Sequence, residues 1–101
     1  MNTICKTRAY SDWFRRLDDR QAKSRILNRI DRAENGNFGD HRPVGDGVSE
    51  MRIDYGPGYR IYFAQEGNMA YLLLVGGDKR NQENDIKKAR AMWQAIRGKR
   101  K

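Results

Sequence analysis

Cysteine is almost missing from this chain: Cys5 stands alone among 101 residues. That excludes an intrachain disulfide and any zinc site built from paired cysteines. Histidine is as scarce, with His41 alone, so an acid/base pair made of two histidines is excluded as well. Long hydrophobic runs are missing too. The longest, residues 69 to 75, falls far short of the ~20 residues needed to span a bilayer. The first ten residues lack the apolar run of a secretory signal. No metal-ligand cluster, nucleophile elbow or phosphate-binding glycine loop occurs, so no cofactor or metal is expected. These absences predict a soluble protein of a reducing, cytoplasmic compartment with no membrane association.

What is present argues for one folded domain spanning residues 1 to 101. The chain is too short for two separate cores, and a mean hydropathy of −1.00 is offset by ten aromatic residues in dense apolar clusters. The charge is lopsided. The first 50 residues carry 10 basic against 8 acidic side chains, and the remainder carries 11 against 5. A net charge of +8 with a pI near 10 calls for an anionic partner, the usual ones being nucleic acid, an acidic protein or an anionic membrane. Seven of the later basic residues, among them Lys87, Lys88, Arg100 and Lys101, fall in the terminal helix and tail.

Periodicity supplies the elements. Residues 2 to 6 are expected to form a short strand. Tyr10, Trp13, Phe14 and Leu17 make one face of a helix, and Ala22, Ile26, Ile30 and Ala33 the stripe of a second. Arg25, Arg29 and Arg32 mark the wet side of that second helix, with Asp12, Asp18 and Asp19 read as caps. A loop over residues 36 to 47 leads to strands at 48 to 55, 59 to 65 and 69 to 75, joined by turns at Gly56-Pro57-Gly58 and Glu66-Gly67-Asn68. Gly76-Gly77-Asp78-Lys79-Arg80 reads as a loop. Asn81 can cap a last helix with Ile86, Ala89, Trp93 and Ile96 inward. The predicted order is β-α-α-β-β-β-α, an α+β fold: an antiparallel meander with an N-terminal helical hairpin on one face and a C-terminal helix.

Pairing Tyr55 with Tyr59 across the turn sets Arg52 opposite Tyr62 and Asp54 opposite Arg60, on the face away from the helical hairpin. Cross-strand neighbours lie about 5 Å apart, so these groups can converge on one phosphate, with Lys79 arriving from the end of the next strand. Guanidinium forks bind phosphate oxygens, and tyrosine stacks on a base or donates to an oxygen. The expectation is a concave RNA site on an open sheet face. Each residue also has a purely structural account. Arg60 and Asp54 can form a cross-strand ion pair, Tyr62 can cover the sheet, Arg52 can pair with Glu50, and Lys79 and His41 can sit in loops as bystanders.

Several segments in order resemble one family. They are Gly36-Asn37-Phe38-Gly39-Asp40, Val48-Ser49-Glu50-Met51-Arg52-Ile53, Gly56-Pro57-Gly58-Tyr59-Arg60-Ile61-Tyr62-Phe63, Gly76-Gly77-Asp78-Lys79 and the run from Gln82 through Ala89. Together, over residues 13 to about 96, they resemble the addiction-module killer proteins of the RelE/ParE toxin superfamily, in its HigB-like branch. The resemblance implies a RelE-like fold and the toxin of a type II toxin–antitoxin system. It implies an mRNA endonuclease (an mRNA interferase) acting in the ribosomal A site, neutralised by a helix-turn-helix antitoxin. It gives Arg60 the contact to the scissile phosphate, Lys79 a basic position after the third meander strand and Arg52 the basic position on the preceding strand. No tyrosine follows Tyr71 to match the C-terminal tyrosine of RelE, so the general acid stays open between Lys79 and Tyr62. Asp78 either orients Lys79 or shapes the loop, and Arg80, Lys87 and Lys88 are expected to hold the RNA backbone. Two other functions suit the same residues: a ParE-type toxin acting on DNA gyrase without RNase chemistry, and a basic accessory module that binds RNA or an acidic partner.

Overall fold

The structure, a computed structural model, describes residues 1–99; Arg100 and Lys101 of the basic tail lie outside the described residues. Strand β1 (Thr3–Lys6) leads into helices α1 (Arg8–Arg16) and α2 (Arg20–Glu34). Strands β2 (His41–Gly45), β3 (Val48–Ile53), β4 (Tyr59–Gln65) and β5 (Ala70–Asp78) follow. A 3-10 turn at Lys79–Asn81 opens into helix α3 (Gln82–Lys99). The fold is α+β, with a five-stranded mixed sheet ordered β1-β5-β4-β3-β2. Among the described residues only the β1–β5 pair is parallel.

The helices begin where side chains satisfy their free N–H groups. Thr7 Oγ1 accepts from Tyr10 N at 3.0 Å, and Asp19 Oδ1 accepts from the amides of Gln21 and Ala22 at 2.9 and 3.1 Å. Asp12, expected to be a cap, instead lies inside α1 and pairs with Arg15. The stripe Ala22, Ile26 and Ile30 packs with Tyr10 of α1 onto Met51, Ile53, Tyr59, Ile61, Phe63 and Leu73, one face of the sheet.

The opposite face is not open. Ala89 and Trp93 of α3 close a second core over Val48, Tyr62, Ala64, Leu72, Leu74 and Val75. The sheet is therefore a middle layer, which explains why β5 is apolar on both faces. A bulge in β5 opposite Tyr62 and Phe63 turns Leu74 and Val75 to the same side.

Two further departures from the sequence reading have local causes. The segment read as a continuous loop contains β2, an edge strand whose Pro43 is tolerated because a strand's outer side needs no N–H donor. Gly76 and Gly77, read as loop signals, lie within β5. They are glycines because side chains press on them from both sides: a Cβ at Gly76 would fall on the Trp13 ring and one at Gly77 on the Asp85 carboxylate. No helix among the described residues is long and apolar enough to cross a membrane.

Candidate functional site

At one end of β3 and β4 the side chains of Arg52, Arg60 and Lys79 line a single open hollow of about 350 Å³, together with Asp40, Asp54 and Tyr59. The hollow lies beside the N-terminal end of α3 and not on a bare sheet face. The register that builds it differs from the expected one. Ile53 pairs with Tyr59, so the turn is two residues longer than a Tyr55–Tyr59 pairing would make it. Arg52 accordingly lies opposite Arg60, and Glu50 lies opposite Tyr62. The expected Arg60–Asp54 ion pair does not form.

Each cation is held differently. Arg60 is 8% exposed. Its Nη1 donates to the Gly58 carbonyl at 2.9 Å and its Nε lies 3.5 Å from Glu50 Oε2. Nη2 has no protein partner among the described residues. Gly58 is left-handed, with φ +83°, and a Cβ there would sit 3.3 Å from Arg60 Nη1 and 3.5 Å from Lys79 Cβ. Glycine suits this left-handed position between Arg60 and Lys79, where a side chain would also crowd the Arg60 guanidinium. Lys79 is exposed at the start of the 3-10 turn and makes no side-chain hydrogen bond or ion pair among the described residues. Arg52 Nη2 donates to Asp40 Oδ1 at 3.0 Å. That bond holds the Asp40 carboxyl below the usual carboxylate range, helped by the charges of Arg29 and His41, and raises the Arg52 guanidinium in turn.

The expectation for Tyr62 is corrected. It is fully buried beneath α3, and its hydroxyl donates to Glu50 Oε2 at 3.2 Å, so its ring cannot stack on a base. Burial, and then the charge of Glu50, push its phenol well up from the ordinary value. Arg80 turns back to Asp78, whose carboxylate also accepts from the Arg80 amide and caps the 3-10 turn. Asp78 thus caps the 3-10 turn that leads into α3. Lys87 and Lys88 are exposed on α3 and do not line the hollow. His41 is exposed in β2, with its ring against Phe38 and Phe63 and its Nδ1 2.9 Å from the Gly39 carbonyl.

Two supporting residues escaped the sequence reading. Glu50 is fully buried, and its carboxylate accepts from Arg42 Nε at 3.1 Å, Gln82 Nε2 at 2.8 Å and the Tyr62 hydroxyl while facing Arg60. It ties β2, β3, β4 and α3 together behind the hollow. Arg29, placed by periodicity on the wet side of α2, is half-buried and donates to the carbonyls of Arg52, Phe38 and Asp40. Its only sequence signal was a guanidinium three residues from one stripe position and one from the next, which resembles any solvated helix residue.

A larger concavity, about 830 Å³, lies elsewhere, between the C-terminal part of α3 and the chain at Gly47 and Gln65; among the described residues Arg97 is the only cation lining it. Three cations converge instead in the smaller hollow. Among the described residues, no three or more His, Cys, Asp or Glu side chains cluster as a metal site would need. Over residues 12–94 the chain matches the family described as Phage derived protein Gp49-like (DUF891). It is also 42% identical over 93 residues to an uncharacterized protein of Haemophilus influenzae, an alignment covering 92% of this chain and 94% of that protein.

Proposed function

Because the chain belongs to the phage-derived Gp49-like family, addiction-module toxins related to the RelE type, we propose that it is a cytoplasmic RelE-like toxin of the HigB-like branch that cleaves mRNA on the ribosome. The observation that supports this most is the convergence of Arg52, Arg60 and Lys79 on one hollow. Cleavage by attack of a 2′-hydroxyl on its own phosphate builds negative charge on the phosphorane oxygens, and fixed cations aimed at that charge supply several kcal/mol. Arg60 presents its free Nη2 for this work, with Nη1 held by the Gly58 carbonyl and Nε facing the Glu50 carboxylate. Arg52 shares the phosphate, and Lys79 clamps it or protonates the leaving oxygen. Arg80, Lys87 and Lys88 lie outside the hollow and serve the RNA backbone. The ribosome contributes orientation, which itself lowers the barrier. A cognate antitoxin with a helix-turn-helix domain would cover the cationic surface.

The test is Arg60→Ala expressed in a bacterial host lacking any antitoxin, with primer extension on a translated mRNA. The wild-type chain should arrest growth and leave discrete cleavage ends. The variant should do neither while retaining its circular dichroism spectrum. A fully toxic Arg60→Ala protein at equal expression would defeat the reading. So would wild-type toxicity that spares mRNA and instead blocks gyrase supercoiling.

A further inference from the structure

An RNA that cleaves itself in the hollow must lose its 2′-hydroxyl proton to some group there. Arg52 and Arg60 carry guanidinium groups that stay protonated and accept nothing. Tyr59 is 9% exposed, and burial raises its phenol. Lys79, as an ammonium, is a donor. Two carboxylates remain, Asp40 and Asp54. Asp54 is exposed in the β3–β4 turn and makes no side-chain hydrogen bond or ion pair among the described residues.

Asp40 is built into place from both sides. Its carbonyl accepts from Arg52 N at 2.9 Å and from Arg29 Nη2 at 3.3 Å, and its Oδ1 accepts from Arg52 Nη2 at 3.0 Å. Arg29 reaches it by passing under Gly39, which is left-handed with φ +63°; a Cβ there would stand 2.8 Å from Arg29 Nη2. Oδ2 of Asp40 has no hydrogen bond among the described residues. A carboxylate hydrogen-bonded through one oxygen with the other free, beside the arginine that would hold the phosphate, suits a general base.

We propose that Asp40 is the proton acceptor of the hollow, an assignment that rests on the RNA-cleavage reading above. Oδ2 takes the proton of the 2′-hydroxyl as the bond from O2′ to phosphorus forms. The bond from phosphorus to O5′ breaks, and O5′ takes a proton from the Lys79 ammonium. The products are a 2′,3′-cyclic phosphate and a 5′-hydroxyl. Water then accepts the proton from Asp40 and restores the one on Lys79, so nothing is oxidised or reduced. The charged groups that face Asp40 are Arg52 from β3, Arg29 from α2 and His41 next in the chain, with Arg60, Lys79 and Asp54 around the hollow. As a bound phosphate takes up part of the Arg52 charge, the carboxylate regains basicity.

The experiment is single-turnover cleavage of mRNA on programmed ribosomes, as a function of toxin concentration and pH, for the wild-type chain, Asp40→Asn, Asp40→Ala and Asp54→Asn. Asp40→Asn should lose about 100-fold or more in saturated rate while the half-saturating concentration changes by no more than about threefold. Its rate should lose the rise with pH that marks ionisation of the base, and added formate should partly restore Asp40→Ala. If Asp40→Asn fails to fold, Asp40→Glu carries the test, since it keeps the charge but displaces the carboxylate. A lowered saturated rate at an unchanged melting temperature then supports the assignment, and an undiminished rate overturns it. A rate retained in Asp40→Asn, a loss confined to the half-saturating concentration, or a loss found in Asp54→Asn instead would each overturn it. A wild-type chain that cleaves nothing would remove the RNA-cleavage reading itself, and this base with it.

Discussion

Glu50 is a carboxylate with no solvent exposure in a chain whose net charge is +8. Burying a charge carries a desolvation penalty of several kcal/mol, which only partners can offset. Glu50 has Arg42, Tyr62 and Gln82 as donors and Arg60 as counter-charge. Removing it strands the buried Arg60 guanidinium and frees the start of α3. Glu50→Ala should therefore lose about 3 kcal/mol of stability in urea unfolding, and toxicity with it. Glu50→Gln, which keeps the shape and some acceptor capacity, should lose less stability yet still impair activity, because Arg60 is no longer held by charge. Equal stability of the alanine variant and the wild type would show that the network does not matter. The role of Glu50 was not legible in sequence. Strand alternation placed it correctly on the face with Arg52 and Arg60, but whether that face is wet or dry depends on where α3 docks. Tyr62 was misread for the same reason.

At the level of elements, the helices were the most readable parts, because their apolar stripes and caps are local. Asp19 illustrates the energetics. Its carboxylate accepts from the Ala22 and Gln21 amides and from the Tyr55 hydroxyl, so it ties the start of α2 to the β3–β4 turn. The Ala22 amide, chiefly, and the Tyr55 hydroxyl hold its carboxyl below the ordinary range. A depressed folded-state pKa stabilises the fold fully above the unfolded value of about 3.9, and that stabilisation disappears as pH falls through the folded value. Asp19→Ala should therefore melt a few degrees lower than wild type near neutrality, and the gap should close in acid. A pH-independent gap in thermal melts would point to lost packing instead. Strands were less readable. The edge strand β2 was hidden by Pro43 and by polar residues facing water, and the last residues of β5 by a glycine pair. Glycine signals a loop when nothing else is known, yet Gly76 and Gly77 serve the close approach of Trp13 and Asp85. The hairpin register was missed because a turn's length is set by where its backbone closes, here at Ile53 and Tyr59.

Across the whole molecule, a net charge of +8 with exposed cations on α3 favours an acidic partner such as the antitoxin that the family suggests. Long-range attraction of this kind is screened within a Debye length, about 10 Å at 0.1 M salt. The association rate of the toxin with an acidic antitoxin segment should fall roughly tenfold between low and high salt in stopped-flow measurements; a salt-independent rate would mean that apolar contacts dominate the encounter. The amino-acid order by itself determined the α+β class, two helical stripes, the inner position of β5 and the basic character of the surface. Each of these follows from periodicity and composition, which act over a few neighbouring residues. It also brought Arg52, Arg60 and Lys79 to neighbouring strand ends. Only the tertiary structure decided that α3 seals the second sheet face, that Tyr62 and Glu50 are interior, and that Arg29 and Asp40 brace the rim. Those outcomes depend on contacts between residues far apart in the chain, such as Gln82 with Glu50 and Arg29 with Arg52. A local pattern carries no information about which distant side chain will arrive to exclude water or complete a hydrogen bond.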